Sequence, residues 1–318
     1  MKQLVIHKGK AWVKEVSSPQ PAPREVLVET WFSAVSPGTE KAILERSGLK
    51  VFQTLAGNRG KRQQGLAYLK KKGLSATWNR LREVSFSEAS LGYSLAGVVV
   101  GVGSEIDRVR IGDRVACAGA GKACHAERAA VSERLVVSVP RDVSLEDAAT
   151  VGLGAVAIQG VRRASPAIGE IVAVIGLGVI GQLTVRLLQA SGCRVAGFDL
   201  HPEPVAVARE AGLEYGADLG DAEPEIVLRN LERITGGHGV DACIITAAST
   251  DSTALDFACE ITRKKGRIVV VGDIPINVDR NALYRKELDL RVSCSYGPGR
   301  YDPDYEERSL DYPYSYVR

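Results

Sequence analysis

The sequence predicts an α/β protein: a doubly wound parallel sheet preceded by a smaller, largely antiparallel β domain. Three observations carry this. Continuous apolar strands alternate with amphipathic helices from Gly169 onward, which is the signature of a parallel sheet covered on both faces. A glycine-rich turn joins the first of these strands to its helix. Ahead of Pro140, short β-type runs separated by Gly-rich turns replace that alternation, as in a barrel-like antiparallel domain.

Val26–Trp31 reads as a strand after the turn-rich stretch Pro19–Pro23. Residues 50–82 place Leu66, Leu69, Leu74, Trp78 and Leu81 at helix-compatible spacings among lysines. This predicts a mainly helical, basic insertion. Strands resume at Ala96–Val102 and Arg114–Cys117, with a further run at Leu135–Val139. Ser144 is placed to cap a helix that carries Asp147 at its third position. The later strands are Ile171–Ile175, Arg194–Phe198, Ala242–Thr246 and Arg267–Val271. The intervening helices are Ile180–Ser191, Pro204–Ala211, Glu225–Ile234 and Thr253–Thr262. The expected organisation is a first domain over 1–140 holding the insertion, a second over 141–296, and a final segment 297–318.

Composition narrows the class. At 318 residues, 45% hydrophobic and 25% charged, the chain has enough apolar material for two ordinary domains. No apolar run reaches the roughly 18–20 residues of a membrane span. MKQLVIHKGK lacks the apolar core of a secretory signal, so a cytoplasmic location is expected. The six scattered cysteines form no CxxC pair and are expected to be reduced and mostly buried. A net charge of +3 does not imply nucleic acid, and no nucleic-acid motif accompanies the basic insertion. That insertion either draws in an anionic substrate or is a solvated helical face.

Ile171–Ile175 runs into Gly176-Leu177-Gly178-Val179-Ile180-Gly181. In such a turn the first glycine permits the tight bend, the second lets a pyrophosphate reach the backbone, and the third lets helix and strand pack closely. The helix N-terminus then offers N–H groups and a positive dipole end to the phosphates. The next strand ends at Phe198-Asp199, about 18 residues after Gly181 and close to the ~20 expected of a ribose-binding acid. Asp199 would accept from the ribose hydroxyls and repel a 2′-phosphate, which favours NAD(H). Thr246-Ala247 and Val271-Gly272 follow later strands, where doubly wound sheets bind ligands. They are assigned to the nicotinamide end.

These features, with Gly92–Asp113 and the Gly152–Gly160 segment, make the chain resemble the medium-chain dehydrogenases/reductases, the zinc alcohol dehydrogenases and their relatives. The resemblance implies a GroES-like first domain, a Rossmann second domain and hydride transfer in the cleft between them. It also implies three catalytic zinc ligands, and this chain departs from all three. Ser36 stands at the place of the first Cys, Tyr93 at the place of the His, and Leu153 at the place of the third ligand. Zinc wants thiolate or imidazole donors there, so no metal site is expected. The four-Cys structural lobe is also missing, with only Cys117 and Cys124-His125 in its stretch.

Without zinc, hydrogen-bond donors must polarise the reacting oxygen. The resemblance nominates Tyr93 and Ser36, with Thr39 or Glu40 completing a proton path. Alternatively, Tyr93 fills the space of the lost metal with its hydroxyl satisfied by Ser94 or backbone, and Glu40 supports a helix over Lys41–Arg46. The insertion and the run Ser295–Pro303 further resemble bidomain oxidoreductases that fuse such a half to one of the glucose–fructose-oxidoreductase/inositol-dehydrogenase type, often in sugar or polysaccharide metabolism. The ending at Arg318 falls before the segment that usually completes the first domain.

The expected function is thus an NAD(H)-dependent, zinc-independent oxidoreductase acting on a hydroxyl or carbonyl of a sugar-like or anionic small molecule, such as a nucleotide sugar. Two alternatives stand beside it: a non-catalytic cofactor-binding module serving a fused or separate oxidoreductase half, and an enoyl or quinone reductase. A homodimer is the oligomer the resemblance suggests.

Overall fold

The computed structural model describes residues 1–7, 9–46 and 88–306. The expected insertion at 50–82 lies outside them. The chain divides into two compact units, Met1–Gly152 and Leu153–Arg318, so the division falls later than the expected 140.

In the first unit, β1 (Lys2–His7) pairs antiparallel with β2 (Lys10–Glu15) and with β4 (Ala89–Ser90). A five-stranded antiparallel sheet has the order β7-β3-β5-β6-β8. Its strands are β3 (Glu25–Ser33), β5 (Ser94–Val102), β6 (Arg114–Ala118), β7 (Arg128–Ser132) and β8 (Val136–Ser138). Val26, Val28, Leu95, Val99, Val115, Cys117 and Val131 build one core, the inward half of an alternating strand pattern. Burial pushes the Cys117 thiol up to about 12. The curled antiparallel sheet fits the GroES-like expectation. Ser144 caps the helix Leu145–Ala148 as read, accepting from Asp147 N–H at 3.0 Å.

The second unit carries a six-stranded sheet, all of whose pairings are parallel, in the order β11-β10-β9-β12-β13-β14. The strands are β9 (Ile171–Ile175), β10 (Arg194–Asp199), β11 (Tyr215–Asp218), β12 (Val240–Ile245), β13 (Thr262–Val270) and β14 (Asp289–Val292). Counted in chain order this is 3-2-1-4-5-6, the doubly wound arrangement whose switch point lies between its first and fourth strands, here β9 and β12. Central β9 shows why it reads as a continuous apolar run. Val172 and Val174 pack with Val185, Leu188, Val205 and Ala208 from the helices Val179–Ala190 and Pro202–Glu210. Ile171, Ala173 and Ile175 pack on the opposite face with Val227, Leu231, Leu255 and Ala258 from Pro224–Thr235 and Thr253–Ile261.

Several boundaries differ from the sequence reading. β13 begins at Thr262 rather than Arg267, and Glu133–Leu135 is a 3₁₀ turn ahead of β8. Strands β1, β2, β4, β7, β11 and β14 were not read from the sequence, being short or mixed in polarity. All six cysteines are free, and only Cys294 is exposed. Among the described residues, no helix is long and apolar enough to cross a membrane.

Candidate functional site

The sequence-nominated residues fall into two sets, one in each unit. In the second unit, the turn after β9 is wedged between the ends of β10 and β12. Gly176 has φ +90°, and a Cβ there would lie 2.5 Å from Ala247 N. Its N–H donates to Phe198 O at 2.7 Å, while Thr246 Oγ1 donates to its carbonyl. A Cβ on Gly181 would meet Gly176 O at 2.0 Å, the close helix–strand approach expected of the third glycine. Gly178 differs from both, since a Cβ there would meet nothing within 4 Å.

Gly178 is the N-cap of the helix Val179–Ala190, with no side-chain cap. The N–H groups of Val179, Ile180 and Gly181 therefore have no acceptor within the helix, and they carry its positive dipole end. Leu177 is buried beneath them, and Gln182 Nε2 ties Leu177 O and Pro204 O together at 2.9 and 2.8 Å.

Asp199 ends β10. Its Oδ2 accepts from Leu177 N–H at 2.7 Å and its Oδ1 from His201 N–H at 3.1 Å. One carboxylate therefore links the glycine turn to the start of the next helix. Each carboxylate oxygen has a second lone-pair site left for a hydroxyl donor.

At the other edge of the turn, Thr246 and Ala247 N–H both donate to Ile175 O, at 2.8 and 3.1 Å. Val271 and Gly272 N–H donate to Ile245 O at 2.9 and 3.0 Å. A Cβ on Gly272 would sit 1.8 Å from Ala247 O, so only glycine fits. All eleven nominated cofactor residues thus lie at the carboxyl ends of adjoining parallel strands.

The first unit holds Ser36, Glu40 and Tyr93. Residues Pro37–Arg46 form a helix, starting earlier than the Lys41 expected from the sequence. Glu40 sits in its first turn and reaches back, Oε1 accepting from Ser36 N–H at 2.9 Å. This is the logic of a capping box, one residue further along. Ser36 Oγ donates to Thr39 Oγ1 at 3.3 Å.

Glu40 Oε1 also lies 3.2 Å from His125 Nε2, and His125 Nδ1 lies 2.8 Å from Ser33 Oγ. The His125 ring packs on Gly92, where φ is +93° and a Cβ would lie 2.9 Å from ring Cγ and Cδ2. Tyr93 follows immediately and is half-buried. Its hydroxyl is not satisfied by Ser94, whose Oγ donates to Ala149 O at 2.6 Å and accepts from Gly152 N–H at 2.8 Å.

His125 and Ser33 are the residues that sequence reasoning missed. His125 was seen only as a neighbour of Cys124. Its pairing with Glu40 spans 85 positions, which no local spacing rule reveals.

Residues 179–309 match the family model for the zinc-binding dehydrogenase. Over that stretch, less than half of the chain, it is similar to the zinc-type alcohol dehydrogenases. Sorbitol dehydrogenase of Bacillus subtilis is 27% identical over 248 residues, 68% of this chain and 67% of its own. D-guloside 3-dehydrogenase of Escherichia coli is 27% identical over 186 residues, 54% of this chain and 48% of its own. Against its curated relatives the chain spans from 40% of the length to about two thirds. Among solved structures, galactitol-1-phosphate dehydrogenase from E. coli aligns over 98% of this chain and 90% of its own, with TM-score 0.70 and 19% identity. An alcohol dehydrogenase superfamily protein from Novosphingobium aromaticivorans aligns over 92% and 79%, with TM-score 0.69 and 24% identity. At these identities the two structures establish the fold alone.

The metal of the zinc-binding dehydrogenases can be tested against the donors this chain offers. By the resemblance, the three ligand places fall on a hydroxyl (Ser36), a phenol (Tyr93) and a buried hydrocarbon (Leu153). The nearby imidazole has both nitrogens committed, to Glu40 and Ser33. Among the described residues, no three His, Cys, Asp or Glu side chains gather as a cation cage. This donor set does not fit the zinc of those dehydrogenases.

Proposed function

We propose that this protein is an oxidoreductase that binds NAD(H) on the turn Gly176–Gly181 and exchanges hydride with a hydroxyl or carbonyl of a polyol-like or sugar-like small molecule, without zinc. The observation that carries the reading is the open, uncapped backbone at Gly178 beside the Asp199 carboxylate. The first supplies N–H donors and room for a pyrophosphate. The second places an acceptor and a negative charge where ribose hydroxyls would sit, which disfavours a 2′-phosphate. Thr246, Ala247, Val271 and Gly272 form the opposite wall for the nicotinamide end.

The substrate class is supported by the names of the relatives, which include sorbitol, butanediol and D-guloside dehydrogenases. In place of a Lewis acid, Tyr93 acts as the donor to the reacting oxygen, with Ser36, Thr39 or Glu40 completing the proton path. Help of this kind is worth roughly 10²–10⁴-fold in rate. Zinc independence is supported by the side chains at the ligand places and is checked by metal analysis of purified, active protein, where stoichiometric zinc would contradict it.

Fluorescence titration with NADH and NADPH, repeated on Asp199→Ala, tests the cofactor. NADH is expected to bind more tightly than NADPH, and the substitution to weaken NADH about tenfold, from loss of a charged hydrogen-bond acceptor. Equal affinities in the unmodified protein would refute the role of Asp199.

A further inference from the structure

We propose that Ser33, His125 and Glu40 form a base-activated serine, a hydroxyl poised to give up its proton, in the first unit. Glu40 Oε1 accepts from Ser36 N–H at 2.9 Å and lies 3.2 Å from His125 Nε2. An ionised carboxylate has no proton to donate, so Nε2 carries the hydrogen of that bond. The other nitrogen of a neutral ring is then an acceptor. In that tautomer Ser33 Oγ, 2.8 Å from Nδ1, is its donor. A hydroxyl aimed at a ring lone pair, with the ring held by a carboxylate, is the arrangement by which weak nucleophiles are activated.

The surroundings hold this geometry in place. Only 9% of the His125 side chain and 10% of the Glu40 side chain are exposed, so bulk water does not compete for their bond. Ser33, at the end of β3, stays partly exposed and can be reached. The His125 backbone is held on both sides, its N–H donating to Leu91 O and its carbonyl accepting from Leu4 N–H, each at 2.8 Å. Gly92 leaves the room the ring needs. Burying the His125 and Glu40 side chains costs free energy that an apolar filler would not.

Toward an electrophilic acyl or phosphoryl centre, the Ser33 Oγ bond to that centre forms as the leaving group departs with its electron pair. The hydroxyl proton passes to His125 Nδ1, and Glu40 stabilises the resulting imidazolium. The reactivity of Ser33 stands independently of the function proposed above.

The test is covalent labelling of the full chain by an alkyl fluorophosphonate, which loses fluoride on reaction, with the modified residue mapped by mass spectrometry and folding followed by circular dichroism. The expected result is a label on Ser33 that disappears in Ser33→Ala, forms about 100-fold more slowly in His125→Asn, and forms severalfold more slowly in the isosteric Glu40→Gln. No label on Ser33 in the unmodified chain would overturn the proposal, as would a rate within twofold of it in folded His125→Asn. If His125→Asn does not fold, Glu40→Gln decides by the same twofold criterion. Labelling without NADH binding would sink the oxidoreductase reading alone; NADH binding without labelling would sink only the activated serine.

Discussion

The glycine turn of the second unit and the polar network of the first are built in opposite ways. In the turn, the work is done by backbone: N–H groups, carbonyls and the room left by missing side chains. A Cβ at Gly181 or Gly272 would collide with a carbonyl oxygen at 2.0 or 1.8 Å. In the network, the work is done by side chains that a carboxylate and a ring hold in register, at 2.9, 3.2 and 2.8 Å. Backbone function leaves a local imprint, because one residue type is obligatory at a fixed offset from a strand. Side-chain function assembled across the chain leaves none.

The contrast predicts where substitutions hurt most. Gly272→Ala forces a methyl into Ala247 O, and because the obstacle is backbone it cannot swing aside. The expected loss is about 3 kcal/mol or more, read as a lower urea midpoint, together with loss of dinucleotide binding. An unchanged midpoint would mean that these two turns are not packed as described.

His125→Ala is expected to cost somewhat less, about 2–3 kcal/mol. It leaves the buried Glu40 carboxylate with Ser36 N–H alone and opens space above Gly92. Urea denaturation measures it, and a loss below about 0.5 kcal/mol would make the network an ornament of the fold.

These two positions also show what was legible from sequence. β9, the glycine turn and Asp199 were readable because strand, turn and acid occur in one short stretch at fixed spacing. The Ser144 cap was readable for the same reason. Strands β11 and β14 escaped because each has only four residues and mixed polarity. Ser36 and Glu40 were nominated through resemblance, but their partner was not. Ser33 and His125 lie 92 positions apart and meet only because Gly92 lets the ring in. Glu40 was read as a possible helix support, and it is one, through Ser36 N–H; its bond to His125 needed the fold.

The smallest effect is electrostatic and lies far from either set. The two hydrogen bonds from the Arg194 guanidinium hold the Glu214 carboxyl below its usual range. A carboxylate whose folded pKa is depressed contributes stability that is complete above its unfolded pKa and is lost as pH falls through the folded one. The pair is substantially exposed, so its contribution is less than about 1 kcal/mol. The unfolding midpoint of Glu214→Gln should lie slightly below that of the unmodified protein near neutrality, and the gap should close in acid. A gap that widened in acid would reverse the sign argued here.

The central claim is that the backbone at Gly178 is a phosphate cradle rather than one more tight turn. Gly178→Ala tests it most directly, because the added methyl meets no protein atom within 4 Å and the backbone there, φ −64°, suits alanine. The expected result is a folded protein whose stability lies within about 1 kcal/mol of the unmodified chain, the poorer cap being partly offset by the smaller unfolded-state entropy, and NADH affinity at least about tenfold weaker. A folded Gly178→Ala protein that binds NADH as tightly as the unmodified chain would contradict it.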